Sequence, residues 1–136
     1  MDFTLTSEVE DFRKRIRAFV EAYVIPLESD SASYGKGENI TEDLLQSLRA
    51  KAKKEGLWAI SMPHDRGGQG LDTVGMASCY EEMARSIFGP VIFNAAAPDD
   101  GNMFVLNKIG NEAQKDRWLQ PIIDGEVRSS IVMTEP

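Results

Sequence analysis

Arg128-Ser129-Ser130-Ile131-Val132-Met133-Thr134-Glu135-Pro136 closes a chain of 136 residues and decides how the rest of it is read. Ile131 to Met133 is a short apolar run with β-branched residues. It follows the turn signal Asp124-Gly125 and stops at a proline. Such a run predicts a strand rather than a helix. A lone strand leaves its backbone N–H and C=O groups without partners, and nothing upstream reads as a sheet that would receive it. The expectation is therefore an all-α helical bundle domain over residues 1–127, with residues 128–136 as the first strand of an incomplete β domain. The chain reads as cut where that second domain begins.

The bulk numbers narrow the classes. At 42% hydrophobic residues the chain can bury a core, and its net charge of −7 argues against nucleic acid, which calls for a basic stripe. The two basic clusters, Arg13 to Arg17 and Lys51 to Lys54, lie on predicted helices and read as solvated faces. The single cysteine, Cys79, makes no internal disulfide and fits a reducing compartment and a small core residue. His64 is the one histidine, which argues against His/Cys metal sites and nucleophilic triads. Met1-Asp2-Phe3-Thr4 lacks the charged start and apolar stretch of a signal peptide. No run of about 18 apolar residues offers a membrane span. These features predict a soluble, cytoplasmic protein.

Helical periodicity dominates from the start. Val9, Phe12, Ile16, Phe19, Val20 and Tyr23 form one apolar stripe over about residues 7–23, capped at Thr6 or Ser7 and stopped by Pro26. A loop over residues 28–39 follows. The second helix starts at Thr41, carries Glu42 and Asp43 in its first turn and lysines in its last, and ends at Gly56 in a left-handed cap. Leu44, Leu45, Leu48 and Ala52 face inward. Leu57 to Met62 is a short apolar crossing closed by Pro63.

Arg66-Gly67-Gly68-Gln69-Gly70 invites a phosphate-loop reading, but it lacks the Gly-Lys-Ser/Thr ending and a preceding strand. Its Gly-Gly-Gln triplet resembles that of peptide release factors, for which an acidic chain is a poor match. A turn with close backbone approach is the better account, with His64 a loop residue beside it. Asp72 caps a third helix to about Ser86, with Met76, Tyr80, Met83 and Ile87 on one side and Glu81 and Glu82 pointing away. Gly89-Pro90 is read as its break. The segment from Val91 to Ile109 is apolar nearly all round, which predicts a helix surrounded by others or the wall of an apolar pocket. Asp99 and Asp100, after Pro98, suit the start of a helix better than a metal. Asn111 and Gln114 predict a capping pair for a fifth helix.

Taken together, the order of these features resembles the N-terminal part of the acyl-CoA dehydrogenase family. The carriers are Phe3-Thr4-Leu5-Thr6, Ile25-Pro26, Gly56-Leu57-Trp58, Gly67-Gly68-Gln69-Gly70 and Glu81-Glu82-Met83-Ala84-Arg85. They continue with Gly110-Asn111-Glu112-Ala113-Gln114-Lys115, Arg117-Trp118-Leu119-Gln120-Pro121, Gly125-Glu126 and the closing Met133-Thr134-Glu135-Pro136. The resemblance implies a helical domain, a β domain and a C-terminal bundle around FAD. It implies α,β-dehydrogenation of an acyl-CoA thioester to the trans-2-enoyl-CoA, with hydride passing to flavin. Electron-transfer flavoprotein would be the reoxidant and a homo-oligomer, a tetramer or dimer, the assembly.

Carried onto this chain, the cofactor-binding residues are Ile131, Val132, Met133, Thr134, Glu135 and Pro136. The Thr134 hydroxyl and the nearby N–H groups would face the polar edge of the flavin. By position, Asn94, Ala97 and Gly101 are candidates for the acyl-pocket wall. The catalytic glutamate of the family lies beyond residue 136, so no catalytic residue is expected here. This chain alone should neither turn over acyl-CoA nor bind FAD tightly. Many relatives have an aromatic residue at the position of Ile131. The Asn94 to Asn102 run is similar to the branch fused to kinase-like domains, with long, branched or hydroxylated acyl substrates. Flavin oxidases and monooxygenases share the fold, and a non-catalytic helical interaction domain is the alternative from another class.

Overall fold

In the computed structural model, which describes residues 4–36, 39–132 and 134, the first helix α1 (Ser7–Phe19) shows how the sequence builds its core. The Thr6 hydroxyl accepts from the Val9 N–H, and Glu8 and Glu10 lie in the positive first turn. Phe12, Ile16, Phe19 and Val20 are buried on the apolar stripe. Tyr23, at its end, is 43% exposed and packs its ring edge on Phe19. Pro26 does not stop the helical path. The chain passes through a π-helical turn, Val20–Val24, into a 3-10 helix, Ile25–Ser29, whose second residue is Pro26. Proline fits there because the first-turn N–H groups have no helical acceptor anyway.

The second helix, α2 (Glu42–Lys54), buries Leu45, Leu48, Arg49 and Ala52, and ends where Gly56 takes φ +66°. Leu57 to Met62 then crosses between two clusters. Leu57 and Ile60 join the larger core with α1, α2 and the third helix, while Trp58, Ala59 and Met62 join a smaller one with Met103, Leu119, Ile122 and Ile123. The crossing is what ties the two together. Full burial of such side chains contributes about 1.5–3 kcal/mol each.

Beyond it, Gly68 lies against that crossing. A Cβ built there would stand 2.1 Å from the Met62 carbonyl oxygen and 2.6 Å from that of Ala59. The Gly68 N–H donates to the Pro63 carbonyl, and the Gly70 N–H to that of Met62. The glycine cluster is thus a close-approach turn. Gly68→Ala should destabilise the fold by about 1–3 kcal/mol through backbone displacement; an unchanged urea midpoint would show that the turn yields freely.

The third helix, α3 (Thr73–Met83), is capped by Asp72, whose carboxylate accepts from the Gly75 N–H. It stops earlier than its sequence pattern suggests, and Ile87 is exposed. Glu82 also departs from expectation. It is buried rather than turned to solvent, because α1 lays arginines over it. Gly89-Pro90 is not merely a break, since both residues belong to a short helix, α4 (Gly89–Ile92). Proline at the second position is pre-set for that role.

After the cis Ala97–Pro98 bond, α5 (Asp99–Ile109) begins at its two aspartates, as read from the sequence. It is not enclosed: Phe104, Val105 and Ile109 are exposed while Met103 is buried. One turn of helix, α6 (Glu112–Gln114), opens with a reciprocal capping box between Asn111 and Gln114. The chain runs on through a π-helical turn, Lys115–Leu119, into α7 (Gln120–Ile123).

The described residues are helical and carry no strand. The strand expected over 128–136 is not formed at residues 128–132 or 134, and Met133, Glu135 and Pro136 lie outside the described residues. The physical reason is the one that made the segment conspicuous: a ladder needs a neighbouring strand, and a bundle supplies none. Among the described residues, no helix is long and apolar enough to cross a membrane, and no three His, Cys, Asp or Glu side chains cluster as metal ligands would.

Candidate functional site

The last residues are fastened to the first turn of α5. Asp99 is buried, and its carboxylate accepts from the Arg128 Nε, from the Ser129 N–H at 2.6 Å and from the Ser129 hydroxyl at 2.6 Å. One helical turn on, the Asn102 amide donates to the Ser129 hydroxyl at 2.8 Å and to the Ser130 carbonyl at 3.3 Å. Charge-assisted bonds of this kind are short and strong. They locate Arg128 to Ser130 against α5. Immediately beyond, Ile131 is 56% exposed, Val132 is 90% exposed, and Thr134 is exposed.

Beside this tether runs an apolar groove of about 490 Å³. Its walls are Asn102, Val105 and Leu106 of α5, Arg117, Trp118, Pro121 and Ile122 opposite, and Val127 to Ser130 along the tail. Trp118 is 47% exposed and Val105 52%, a large apolar area to leave open to water. The two walls come from opposite sides of the Gly110-Asn111 break, so the groove exists only because the chain doubles back there.

The pocket-wall candidates separate. Asn94 is 4% exposed and adopts φ +58°, a left-handed conformation that asparagine tolerates better than most residues. Its amide donates to the carbonyls of Ile122, at 3.0 Å, and Ile123, at 3.4 Å, and approaches the Met103 sulfur. Asn94 thus closes the end of α7 from inside. Ala97 and Gly101 are exposed, and neither lines the groove. No atom lies within 4 Å of a Cβ built on Gly101.

Further cross-links hold the end of α7 and the first turn of α5 in place. The Trp58 indole N–H donates to the Ile123 carbonyl at 2.6 Å, and the Lys53 ammonium to the Asp124 carbonyl at 2.6 Å. Asp100 accepts from the Ser61 hydroxyl and, at 2.8 Å, from the Tyr80 hydroxyl. Burial, and then the Asp100 charge, raise the Tyr80 pKa, so the phenol stays protonated as a donor. The Cys79 thiol is pushed up to about 11 by burial, which leaves it unreactive at neutral pH. It is a core residue.

Sequence reasoning did not single out Asp99, Asn102, Ser129 and Ser130 as a tether. A signal was present, since Asp99 and Asn102 are three apart and share a helix face. Which later residues they would meet was not readable.

This architecture agrees with that of known proteins. Residues 6–126 match the family described as acyl-CoA dehydrogenase, N-terminal domain. Acyl-CoA dehydrogenase family member 10 of Mus musculus is 37% identical over 139 residues, covering 97% of this chain and 13% of that protein. Family member 11 of Homo sapiens is 34% identical over 140 residues, covering 98% of this chain and 18% of that protein. A solved Mycobacterium abscessus protein assigned to the acyl-CoA dehydrogenases superposes with a TM-score of 0.78 at 34% identity, over 92% of this chain and 33% of that one. The chain thus spans a third or less of these relatives' length. The family match and the superposition each cover most of the chain, and the chain belongs to the acyl-CoA dehydrogenase family, carrying its helical N-terminal domain.

Proposed function

We propose that this helical domain forms one wall of the site in an FAD-dependent enzyme that removes two hydrogens from Cα and Cβ of an acyl-CoA thioester. The observation that carries the reading is the Asp99 and Asn102 tether, which presents Ile131, Val132 and Thr134 outward beside an apolar groove.

The residues at hand suit a flavin. Ile131 and Val132 offer flat apolar contact, and Thr134 offers a hydroxyl. Among the described residues, the N–H groups of Ile131, Val132 and Thr134 donate to no protein acceptor. Bound FAD would supply the hydride acceptor. The chain's own part is to hold donors where negative charge accumulates, which needs rigid placement, and to line a water-poor groove. Asp99 and Asn102 are positioning residues in this scheme. An acyl-CoA substrate, electron-transfer flavoprotein as reoxidant, and a homo-oligomer complete the proposal. The similarity to family members 10 and 11 favours a dehydrogenase over the oxidases and monooxygenases of the same fold.

The test is a flavin absorption spectrum of the full-length protein, followed by acyl-CoA additions. A yellow protein whose colour bleaches with an acyl-CoA is expected; a protein that stays colourless when supplied with FAD ends the reading. In that protein Asp99→Asn should weaken FAD binding about tenfold, since a charge-assisted bond contributes roughly 1.5–3 kcal/mol. Amide exchange at Ser129, whose N–H donates to Asp99, should accelerate while the rest of the bundle keeps its protection. Unchanged exchange there would show that Asp99 does not anchor the tail.

A further inference from the structure

Arg49 lies on α2 with 6% of its surface exposed. A guanidinium at that depth ordinarily meets a carboxylate, because a charge removed from water needs a counter-charge. Here its Nε donates to the Val91 carbonyl at 3.0 Å, and its guanidinium carbon stands 5.9 Å from the Trp58 ring. Among the described residues it has no ion-pair partner, and its two terminal amino groups reach no protein acceptor. No described side-chain nitrogen is both sealed off and unpartnered. Those two amino groups therefore keep some exposure, and Arg49 lines a cavity.

That cavity, about 440 Å³, lies between α2, the loop before it and the turn after α7. Lys36 and Arg128 also line it, and so do Glu42 and Glu126. Glu42 accepts from the Gln46 amide at 2.7 Å, and Arg128 pairs with Asp99. Burial holds the Arg49 pKa below the usual arginine value, against the weaker pull of Glu42 and Asp99. Among the described residues, the carboxylates thus leave its charge undercompensated.

We propose that this cavity is a binding site for a small oxyanion, a carboxylate or a phosphate, held by the two terminal amino groups of Arg49. A planar guanidinium presents paired N–H groups that match two oxygens of either anion. The chain's net charge of −7 repels anions at long range, so affinity has to come from this local geometry.

The experiment is a titration of this chain with inorganic phosphate and, separately, with acetate, at constant ionic strength. It is followed by the Arg49 Nε–Hε resonance and by the thermal midpoint. A saturable shift with a Kd of about 1 mM or tighter is expected, with a midpoint that rises with anion concentration. Arg49→Gln should weaken binding at least about tenfold, and Arg49→Lys, which keeps charge without the fork, should fall between. Arg49→Gln also removes the donor to Val91, so the wild-type titration is read independently of it. Tighter binding of phosphate or of acetate identifies the anion class. The proposal is overturned if neither anion gives saturation, or if Arg49→Gln binds equally well. It is also overturned if binding appears only in Glu42→Gln or Glu126→Gln, because that carboxylate is then the counter-ion.

Discussion

Glu82→Gln is expected to destabilise the domain by about 3 kcal/mol at neutral pH, the lower end of what removing one partner of a buried ion pair costs. Glu82 is 1% exposed on α3. Its carboxylate accepts from Arg13 at 2.9 Å and from Arg17 at 2.6 and 2.8 Å, and Arg85 stands 3.7 Å away. These bonds fasten α3 to α1. Glutamine keeps the volume but loses the charge, so three guanidinium groups are left facing a neutral amide. Arg17 and Arg85 are partly exposed and can rehydrate, which is why the lower end applies.

The hydrogen bond from Arg17, and then the neighbouring positive charges, hold the Glu82 pKa below the ordinary glutamate value. A carboxylate lowered in the folded state stabilises fully above its unfolded pKa, and that contribution is lost as pH falls through the folded value. The stability gap between wild type and Glu82→Gln should therefore be full at neutral pH and narrow in acid. Urea unfolding of both proteins across that range is the measurement. A gap under about 1 kcal/mol at neutral pH would put this cluster among ordinary surface bridges.

Phe93→Ala should have an effect of similar or larger size, about 3–5 kcal/mol. Phe93 has no exposed surface, and its ring meets that of Phe19 edge-on, with centroids 5.2 Å apart and planes at 65°. The same residue accepts from the Ala59 N–H through its carbonyl, so the apolar crossing rests on it. Truncation leaves a cavity between α1 and α4 that close-packed neighbours fill only in part. Phe93→Leu should lose about 1–1.5 kcal/mol, as volume-conserving exchanges do. Equal losses for the two would mean that the ring geometry, and not the filled volume, sets the stability.

Much of this was legible along the chain. The stripe of α1, the Thr6 and Asp72 caps, the Asn111 and Gln114 box and the start of α5 at Asp99 rest on contacts within a few residues. Residue type and spacing suffice for such features. The order of turns and helices was enough to indicate the family.

The fate of Glu82 was not legible. On its own helix it is simply polar; only α1, about seventy positions earlier, supplies the arginines that bury it. Asn94 reads as one polar residue in an apolar run, yet its amide closes the carbonyls at the end of α7. Ala59 takes φ +47° within the short apolar crossing, a conformation that no local signal announces.

What the amino-acid order determined alone, then, was where each helix begins and which stripe turns inward, since caps and periodicity act over a few residues. Which charges meet, where the groove opens and what holds residues 128–130 were decided by the tertiary structure. Those contacts join positions far apart in the chain, and their partners exist only once the helices have packed.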